Sequence, residues 1–188
     1  DSITQGAFVS EPSRSYPAAL AQGDWDVINA GYFGHSTVGS DGAAIGALAP
    51  TLVVLAIGAN DFGYQTPLSA FAAEYDQWIA SFRASPGCAE VPIVCVTPTV
   101  RFDEVFPPIV LEDYRNQIRS VVAARSLGDP NLHLLEGWDM APASSLADGV
   151  HMNDEGFLSY ARSLKLLNLV RNPSFDMPQP GLFPSHLW

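Results

Sequence analysis

Residues near both ends of this chain have the types and the spacing that nucleophilic acyl chemistry requires. A serine stands at position 2, and an acid and an imidazole stand three residues apart at Asp148 and His151. An imidazole hydrogen-bonded to a carboxylate can take the proton of a serine hydroxyl, which makes that hydroxyl a nucleophile. Two intervening motifs, Asn-Ala-Gly-Tyr-Phe-Gly at residues 29–34 and Gly-Ala-Asn-Asp at residues 58–61, offer backbone N–H groups and an amide that could hold an oxyanion.

The elements between these residues must bring them together, and the sequence predicts a parallel α/β sheet for that purpose. Short apolar runs alternate with segments of helical period, which is the pattern of this fold class. The predicted strands cover residues 25–30, 51–58, 91–97 and 131–136. The predicted helices cover residues 16–21, 69–85 and 108–126, followed by a last helix capped by Asn153. Functional residues of open α/β sheets lie at the carboxyl ends of the strands. We therefore expect the site in residues 32–37, 60–67, 99–106 and 138–151.

Length and composition indicate one globular domain that acts on neutral partners. The chain has 188 residues, 47% of them hydrophobic, and a formal net charge of −11. This balance, without any basic run, argues against nucleic acid and against an anionic membrane surface as partners. The longest apolar stretch, residues 49–59, is too short to span a bilayer and is interpreted as a buried strand. The low lysine count and the four tryptophans are compatible with a secreted or extracytoplasmic protein, while a cytoplasmic location stays open.

The two cysteines do not decide the compartment. Cys95 lies inside the apolar run of residues 91–96, where a free buried thiol is ordinary, and Cys88 lies in the turn before it. A bridge between them would need the chain to double back over a short segment, so free thiols are favoured.

Two other hydrolytic chemistries fit the sequence poorly. The Gly-x-Ser-x-Gly elbow of α/β-hydrolases does not occur, since residues 38–42 read Val-Gly-Ser-Asp-Gly. The segment from His151 to Glu155 does not have the spacing of a zinc-binding helix, and the other histidines are scattered. We expect neither a metal nor another cofactor.

Taken in order, the motifs resemble those of the SGNH (GDSL-like) hydrolase family. That family has Gly-Asp-Ser near its start, a glycine after its second strand, Gly-x-Asn-Asp after its third strand and Asp-x-x-His near its end. Here the corresponding residues are Asp-Ser at positions 1–2, residues 29–34, residues 58–61 and Asp-Gly-Val-His at residues 148–151. The resemblance covers about residues 1–170 and implies a three-layer α/β/α sandwich around a five-stranded parallel sheet in the order 2-1-3-4-5.

The resemblance also implies a role for each matched residue. Ser2 would be the nucleophile, His151 the general base and then the general acid, and Asp148 the group that orients the imidazole. The oxyanion hole would consist of the Ser2 and Gly34 backbone N–H groups and the side-chain amide of Asn60. Gly34 is preferred to Gly31 because the family's glycine follows its strand by several residues. A glycine also lets the backbone approach the substrate without a Cβ in the way.

The chain departs from the family pattern at its start. The glycine before Asp1 is absent, and so is the apolar strand that normally leads into it. That strand lies in the middle of the family's sheet, so we expect the sequence to be an incomplete record of the working protein. We predict a hydrolase domain over residues 1–171 and an extended, proline-containing tail over residues 172–188 that packs on it.

Side chains in the predicted loops could contact the substrate at the rim of the site. The candidates are His35, Phe62, Tyr64, Arg101, Phe102 and Trp138. Aromatic side chains at the rim could stack on sugar rings or shelter an acyl chain. Packing within the loops is an equally good interpretation of these residues.

The function that these residues predict is a serine esterase working through an acyl-serine intermediate. A short acyl ester is preferred, with acetyl on a carbohydrate first, because the domain is small, no long apolar lid is visible and aromatics flank the site. A lysophospholipase, thioesterase or arylesterase of the same family is the first alternative. A non-catalytic carbohydrate-binding module is the second, although such a module has no need for an intact triad. The oligomeric state is not indicated by the sequence.

Overall fold

The computed structural model describes residues 1–22 and 25–166, in which helices and short strands alternate along the chain. The helices are α1 (Ser2–Gln5), α2 (Tyr16–Ala21), α3 (Asp41–Gly46), α4 (Ala59–Gly63), α5 (Leu68–Arg83), α6 (Leu111–Ser126) and α7 (Asp154–Leu166). The strands are β1 (Val53–Ala56), β2 (Ile93–Val96), β3 (Val105–Phe106), β4 (Ile109–Val110) and β5 (Leu132–Leu135). Single turns of 3₁₀ helix cover Pro12–Arg14, Gly137–Asp139 and Ala143–Ser145.

A parallel sheet with the strand order β1-β2-β5 forms the centre of the described fold. Val54 pairs with Val94 in the first ladder, and Val94 pairs with His133 in the second. All four residues of β2 are buried, as expected for the central strand of a sheet that is covered on both faces.

Alternation of side chains along β1 and β2 divides the core into two layers. Val53, Leu55 and Cys95 face a cluster built on α5 and α6, which contains Phe71, Tyr75, Trp78, Ile79, Phe82, Tyr114 and Ile118. Val94 and Val96 face the opposite cluster, which contains Ile3 of α1, residues of α2 and Phe157, Tyr160, Ala161 and Leu164 of α7. The chain therefore folds as the predicted three-layer α/β/α sandwich.

The predicted strand at residues 25–30 is wrong, because these residues adopt no regular secondary structure. Trp25 and Val27 pack against the core cluster that contains Ile3 and the residues of α2 and α7, whereas Ile28 is exposed. In the order 2-1-3-4-5, this strand would bond only to a first strand, and the described residues form no strand at that place. The backbone of residues 25–30 thus has no ladder partner, and the described parallel sheet has three strands instead of five.

Most predicted helices are confirmed, with one shifted boundary. The segment 16–21 is helical as predicted, and residues 69–85 correspond to α5. The predicted helix 108–126 begins later, at Leu111, because β4 pairs with β3 in an antiparallel hairpin. The side chain of Asn153 accepts a hydrogen bond from the N–H of Gly156 at 3.1 Å, so it caps α7 as predicted.

Three further predictions concern the cysteines, a membrane-spanning helix and the C-terminal tail. Cys88 and Cys95 are both free and buried, so they are not bridged. Within the described ranges, no helix combines the length and the apolar character needed to cross a membrane. The predicted tail at residues 172–188 lies outside the described residues.

Candidate active site

A continuous line of hydrogen bonds joins Ser2, His151 and Asp148. The hydroxyl Oγ of Ser2 lies 2.9 Å from Nε2 of His151, and Nδ1 of the same ring lies 2.8 Å from Oδ2 of Asp148. A proton placed on Nδ1 and donated to Asp148 leaves Nε2 as the acceptor for the serine proton. The three residues are brought together across 149 positions of sequence.

Ser2 is held by the short helix in which it lies. Asp1 caps α1, because its Oδ1 accepts hydrogen bonds from the N–H groups of Ile3 at 3.0 Å and Thr4 at 3.2 Å. The Ser2 carbonyl accepts from Ala7 N–H at 2.9 Å, and the Ser2 residue is 6% exposed. As the first residue of α1, Ser2 has a backbone N–H without an intrahelical acceptor. This N–H is therefore available to a bound group.

The helix α1 lies at the carboxyl ends of β1 and β2. A small, partly open cavity of about 10 Å³, the room of roughly one water molecule, lies between them. Its walls include Asp1, Ile3, Ala59, Thr97 and Thr99. Ser2 therefore lies near the carboxyl ends of the parallel strands, where the sequence predicted the site.

His151 and Asp148 form a compact turn before α7. Asp148 Oδ1 accepts hydrogen bonds from the backbone N–H groups of Val150 at 2.9 Å and His151 at 2.7 Å. Partial burial of Asp148 opposes its ionisation, but the hydrogen bonds from the His151 backbone and ring outweigh that effect, and the pKa of Asp148 lies below its ordinary value. The carboxylate that contacts the imidazole is therefore charged at neutral pH.

Asn60 lies at the start of α4 with one amide proton engaged. Its Nδ2 donates to the carbonyl oxygen of His35 at 3.0 Å, which fixes the orientation of the amide. The second proton on Nδ2 has no acceptor among the described residues, so it can be donated to a bound oxyanion. This is the arrangement that an oxyanion donor needs, because the amide is fixed before the substrate arrives.

Gly34 and Gly31 differ in what their N–H groups do. Gly31 N–H donates to Asn29 Oδ1 at 2.8 Å, and a Cβ on Gly31 would lie 2.3 Å from the backbone nitrogen of Gln5. Gly31 is therefore a close-packing position against α1. Gly34 has a positive φ of 71°, and its N–H makes no hydrogen bond within the described residues. Of the two glycines, Gly34 is the one whose N–H remains available.

A buried carboxylate connects the segments that carry Gly34 and Asn60. Asp61 is 1% exposed and accepts hydrogen bonds from the Thr37 N–H at 3.0 Å and the Thr37 hydroxyl at 2.9 Å. Burial raises the pKa of Asp61, and the bonds from Thr37 counteract part of that rise. Asp61 ties the loop that carries Gly34 to the helix that carries Asn60.

Two of the predicted substrate contacts are corrected by the structure. Phe62 has no exposed surface, because α4 turns its ring inward onto Phe106 and Tyr114. Arg101 is engaged inside the protein, since it binds both carboxylate oxygens of Asp103 and the carbonyl of Ala59. Only 10% of the Arg101 side chain is exposed, so it braces its loop.

The remaining rim candidates keep exposed surface. Tyr64 is 65% exposed and donates its hydroxyl to the Gly34 carbonyl at 3.3 Å. Phe102 is 73% exposed, and its N–H donates to the Gly149 carbonyl at 2.8 Å. Trp138 is half-exposed and bonds to Glu136. His35 is partly exposed, and its Nε2 lies 2.5 Å from Oδ2 of Asp41, which gives this ring a structural partner.

Two aromatic rings beside the triad were not identified from the sequence. The ring of Phe8 stacks on the His151 imidazole with centroids 4.8 Å apart, and the ring of Phe33 is nearly parallel to it at 6.4 Å. Both phenylalanines are more than half exposed. Phe33 stands inside the motif of residues 29–34, so its neighbourhood to Gly34 was a usable signal, whereas nothing in the sequence marks Phe8.

No metal site accompanies this arrangement in the described part of the chain. Residues 1–22 and 25–166 contain no group of three or more His, Cys, Asp or Glu side chains that could hold a metal ion.

An α/β/α sandwich with a Ser–His–Asp line at the carboxyl end of its parallel strands is the architecture of a class of serine hydrolases. A sequence profile of the GDSL-like Lipase/Acylhydrolase family matches residues 1–157, and the chain belongs to this family. A search of curated protein sequences gave no significant match.

Solved structures with the same fold include three informative relatives. The salicylyl-acyltransferase SsfX3 from a tetracycline biosynthetic pathway has a TM-score of 0.67 and 21% identity, over 86% of this chain and 50% of its own. A two-domain esterase active on acetylated mannans, crystallised with mannopentaose, has a TM-score of 0.66 and 18% identity, over 95% and 50% of the respective chains. A carbohydrate acetylesterase family member from Sinorhizobium meliloti has a TM-score of 0.67 and 18% identity, over 89% and 91%. The chain spans about half the length of the first two.

Proposed function

We propose that this protein is a serine esterase that removes short acyl groups, acetyl in the first place, from carbohydrate esters. The observation that carries the proposal is the unbroken hydrogen-bond line from Ser2 Oγ through both ring nitrogens of His151 to Asp148. A binding module would gain nothing from a nucleophile, a base and a charged orienting group in this geometry.

The first half-reaction transfers the acyl group to Ser2. The Oγ of Ser2 attacks the ester carbonyl carbon while its proton passes to Nε2 of His151. The carbonyl electron pair moves onto oxygen, where the N–H groups of Ser2 and Gly34 and the amide of Asn60 stabilise the negative charge. The intermediate then collapses, and the alcohol oxygen leaves with the proton that His151 returns.

The second half-reaction releases the acid. A water molecule loses a proton to Nε2 of His151 as it attacks the acyl-serine carbon, and the same donors stabilise the second oxyanion. Collapse of this intermediate breaks the bond to Ser2 Oγ, which takes the proton back from His151. Asp148, already ionised, stabilises the imidazolium in both halves.

The choice of substrate rests on the surroundings of the triad. Exposed aromatic faces at Tyr64, Phe102 and Phe33 suit the apolar face of a sugar ring. The esterase active on acetylated mannans shares this fold at 18% identity, and its substrate agrees with this choice. Acetylated polysaccharide would be met outside the cytoplasm, so an extracytoplasmic location is part of the proposal, and fractionation of the producing cells tests it.

Hydrolysis of a p-nitrophenyl ester series from acetyl to decanoyl tests the reaction and its acyl preference. Ser2→Ala serves as the blank, because it removes the nucleophile and leaves the fold intact. The proposal expects Ser2-dependent turnover with a maximum at acetyl, and release of acetate from acetylated mannan. A maximum at long chains would reject the acetyl preference, and turnover equal to the Ser2→Ala blank would reject the esterase.

A further inference from the structure

A groove of about 460 Å³ opens beside the triad on the side of α1. It is lined by Gln5, Gly6, Ala7, Val9, Pro12 and Phe33. The walls carry no charged side chain, and Gln5 supplies the single side-chain amide. A surface of this kind suits a neutral group with an apolar face and some hydroxyls.

Phe33 connects this groove to the catalytic imidazole. Its ring forms a wall of the groove and also stacks near-parallel to the His151 ring, with an interplanar angle of 14°. The wall residues Gln5, Gly6, Ala7 and Val9 follow Ser2 closely in the chain, and the Ala7 N–H donates to the Ser2 carbonyl at 2.9 Å. The groove is therefore fixed in position relative to both reacting groups.

Phe8 also contacts the imidazole, and it does so with a strained backbone conformation. This residue has a φ of 69°, in the left-handed region that a bulky side chain rarely adopts, and its ring stacks on His151. Strained backbone of this kind is found preferentially at functional sites. The strained segment lies between the groove-lining residues Ala7 and Val9.

The reaction mechanism determines which half of an ester substrate lies beside the groove and His151. The carbonyl oxygen must point at the donors on Gly34 and Asn60, whereas His151 must return its proton to the oxygen of the leaving alcohol. The alcohol half is thus on the imidazole side, where Phe33 and the groove lie.

We propose that this groove is the subsite for the alcohol half of the substrate and that it binds a pyranose by stacking its apolar ring face on Phe33. Gln5 provides the amide for a sugar hydroxyl. This inference rests on the esterase function proposed above and adds to it the location and the chemical class of the leaving group. An aryl alcohol shares the flat apolar face but not the hydroxyls.

Acetyl esters that differ only in their alcohol test the proposal. The parent, Phe33→Ala and Phe33→Leu are compared on ethyl acetate, phenyl acetate and a methyl O-acetyl-pyranoside, with Leu127→Ala as a matched control. Leu127 is an apolar residue that is 92% exposed and lies at the carboxyl end of α6. The ratio of variant to parent kcat/KM is taken for each ester, so the intrinsic reactivity of each leaving group cancels.

The expected result is a loss of kcat/KM in Phe33→Ala that is roughly tenfold or more larger for the pyranoside than for ethyl acetate. Phe33→Leu, which keeps an apolar wall without a flat ring, should show a smaller difference between the pyranoside and ethyl acetate than Phe33→Ala does. An equal loss on all three esters would overturn the subsite, since Phe33 would then act only through His151. A loss confined to phenyl acetate would overturn the assignment to a sugar.

A serine-reactive fluorophosphonate separates failure of this inference from failure of the esterase function. Labelling of Ser2 together with equal ester ratios rejects the subsite alone. Absence of labelling together with absence of hydrolysis rejects both. Thermal unfolding of each variant shows whether the substituted protein is folded when it is assayed.

Discussion

Removal of the Asn60 amide should slow catalysis far more than it destabilises the protein. Asn60→Ala deletes a donor whose orientation is fixed by its hydrogen bond to the His35 carbonyl at 3.0 Å. Loss of one preorganised oxyanion donor typically lowers kcat by roughly 10²–10³, or about 2.7–4 kcal/mol. Loss of the bond to His35 should reduce the free energy of unfolding by only about 0.5–1.5 kcal/mol.

The assay measures kcat on p-nitrophenyl acetate and the thermal midpoint of the same preparations. Asn131→Ala is the matched control, because Asn131 also donates its amide to a neighbour, Glu90, at 2.9 Å, but does not belong to the site. Asn60→Asp keeps the shape and replaces the donor with an acceptor, so it should be at least as slow as Asn60→Ala. A folded Asn60→Ala protein with kcat within about threefold of the parent would refute the role of this amide.

Three further changes follow from contacts outside the triad. Glu104→Gln removes the charge that faces the buried Arg115 guanidinium at 2.8 Å and should reduce the free energy of unfolding by roughly 1.5–3 kcal/mol at neutral pH. Partial burial opposes ionisation of Glu104, but its hydrogen bonds to Arg115 outweigh that effect and hold its pKa below the ordinary 4.5. The stabilisation by Glu104 is therefore fully present above pH 4.5, and it is lost as the pH falls through the lowered pKa of the folded protein. Gly31→Ala should reduce both the thermal midpoint and kcat, because the new Cβ would lie 2.3 Å from a backbone nitrogen of α1. Gly128→Ala is the control and should be tolerated, since a Cβ at this position meets no atom within 4 Å. A thiol reagent should label neither cysteine in the native protein and both in denaturant, since both are buried and burial raises the pKa of Cys95 to about 12.

Each of these expectations has an outcome that contradicts it. A stability difference between Glu104→Gln and the parent that does not change with pH would show that the charge of Glu104 is not responsible. Equal thermal midpoints for Gly31→Ala and Gly128→Ala would show that the loop at Gly31 can move away from α1. Rapid labelling of Cys95 in the native protein would show that β2 opens readily.

The main lines of the fold follow from local sequence signals. The apolar runs that contain β1, β2 and β5 and the helical period of α5 are strong patterns that tertiary context reinforces. The motifs at residues 29–34, 58–61 and 148–151 follow predicted strands, and the structure brings Ser2, Asp148 and His151 into hydrogen-bond contact. Residues 25–30 have a strand-like composition, but a strand needs a neighbour for its backbone groups, and a local pattern cannot indicate whether that neighbour is formed.

The side chains around Ser2 and His151 were harder to predict than the contacts that join Ser2, His151 and Asp148. Phe62 follows a strand and was expected at the rim, but α4 is a single short helix with too few residues to show a period, and it turns Phe62 into the core. Arg101 was expected to face the substrate, although Asp103, two residues away, already satisfies its guanidinium. The stacking of Phe8 on His151 depends on a positive φ and a contact across the fold, and neither has a signal in the sequence.

The most direct test of the account is to identify the residue that becomes acylated. A fluorophosphonate probe is added to the parent, Ser2→Ala and His151→Ala proteins, and the modified peptide is located by mass spectrometry. The account predicts a single adduct on Ser2 in the parent, none in Ser2→Ala and strongly slowed labelling in His151→Ala, because the base that activates the hydroxyl is then missing. An adduct on another serine, or labelling of Ser2 that does not depend on His151, would contradict the account.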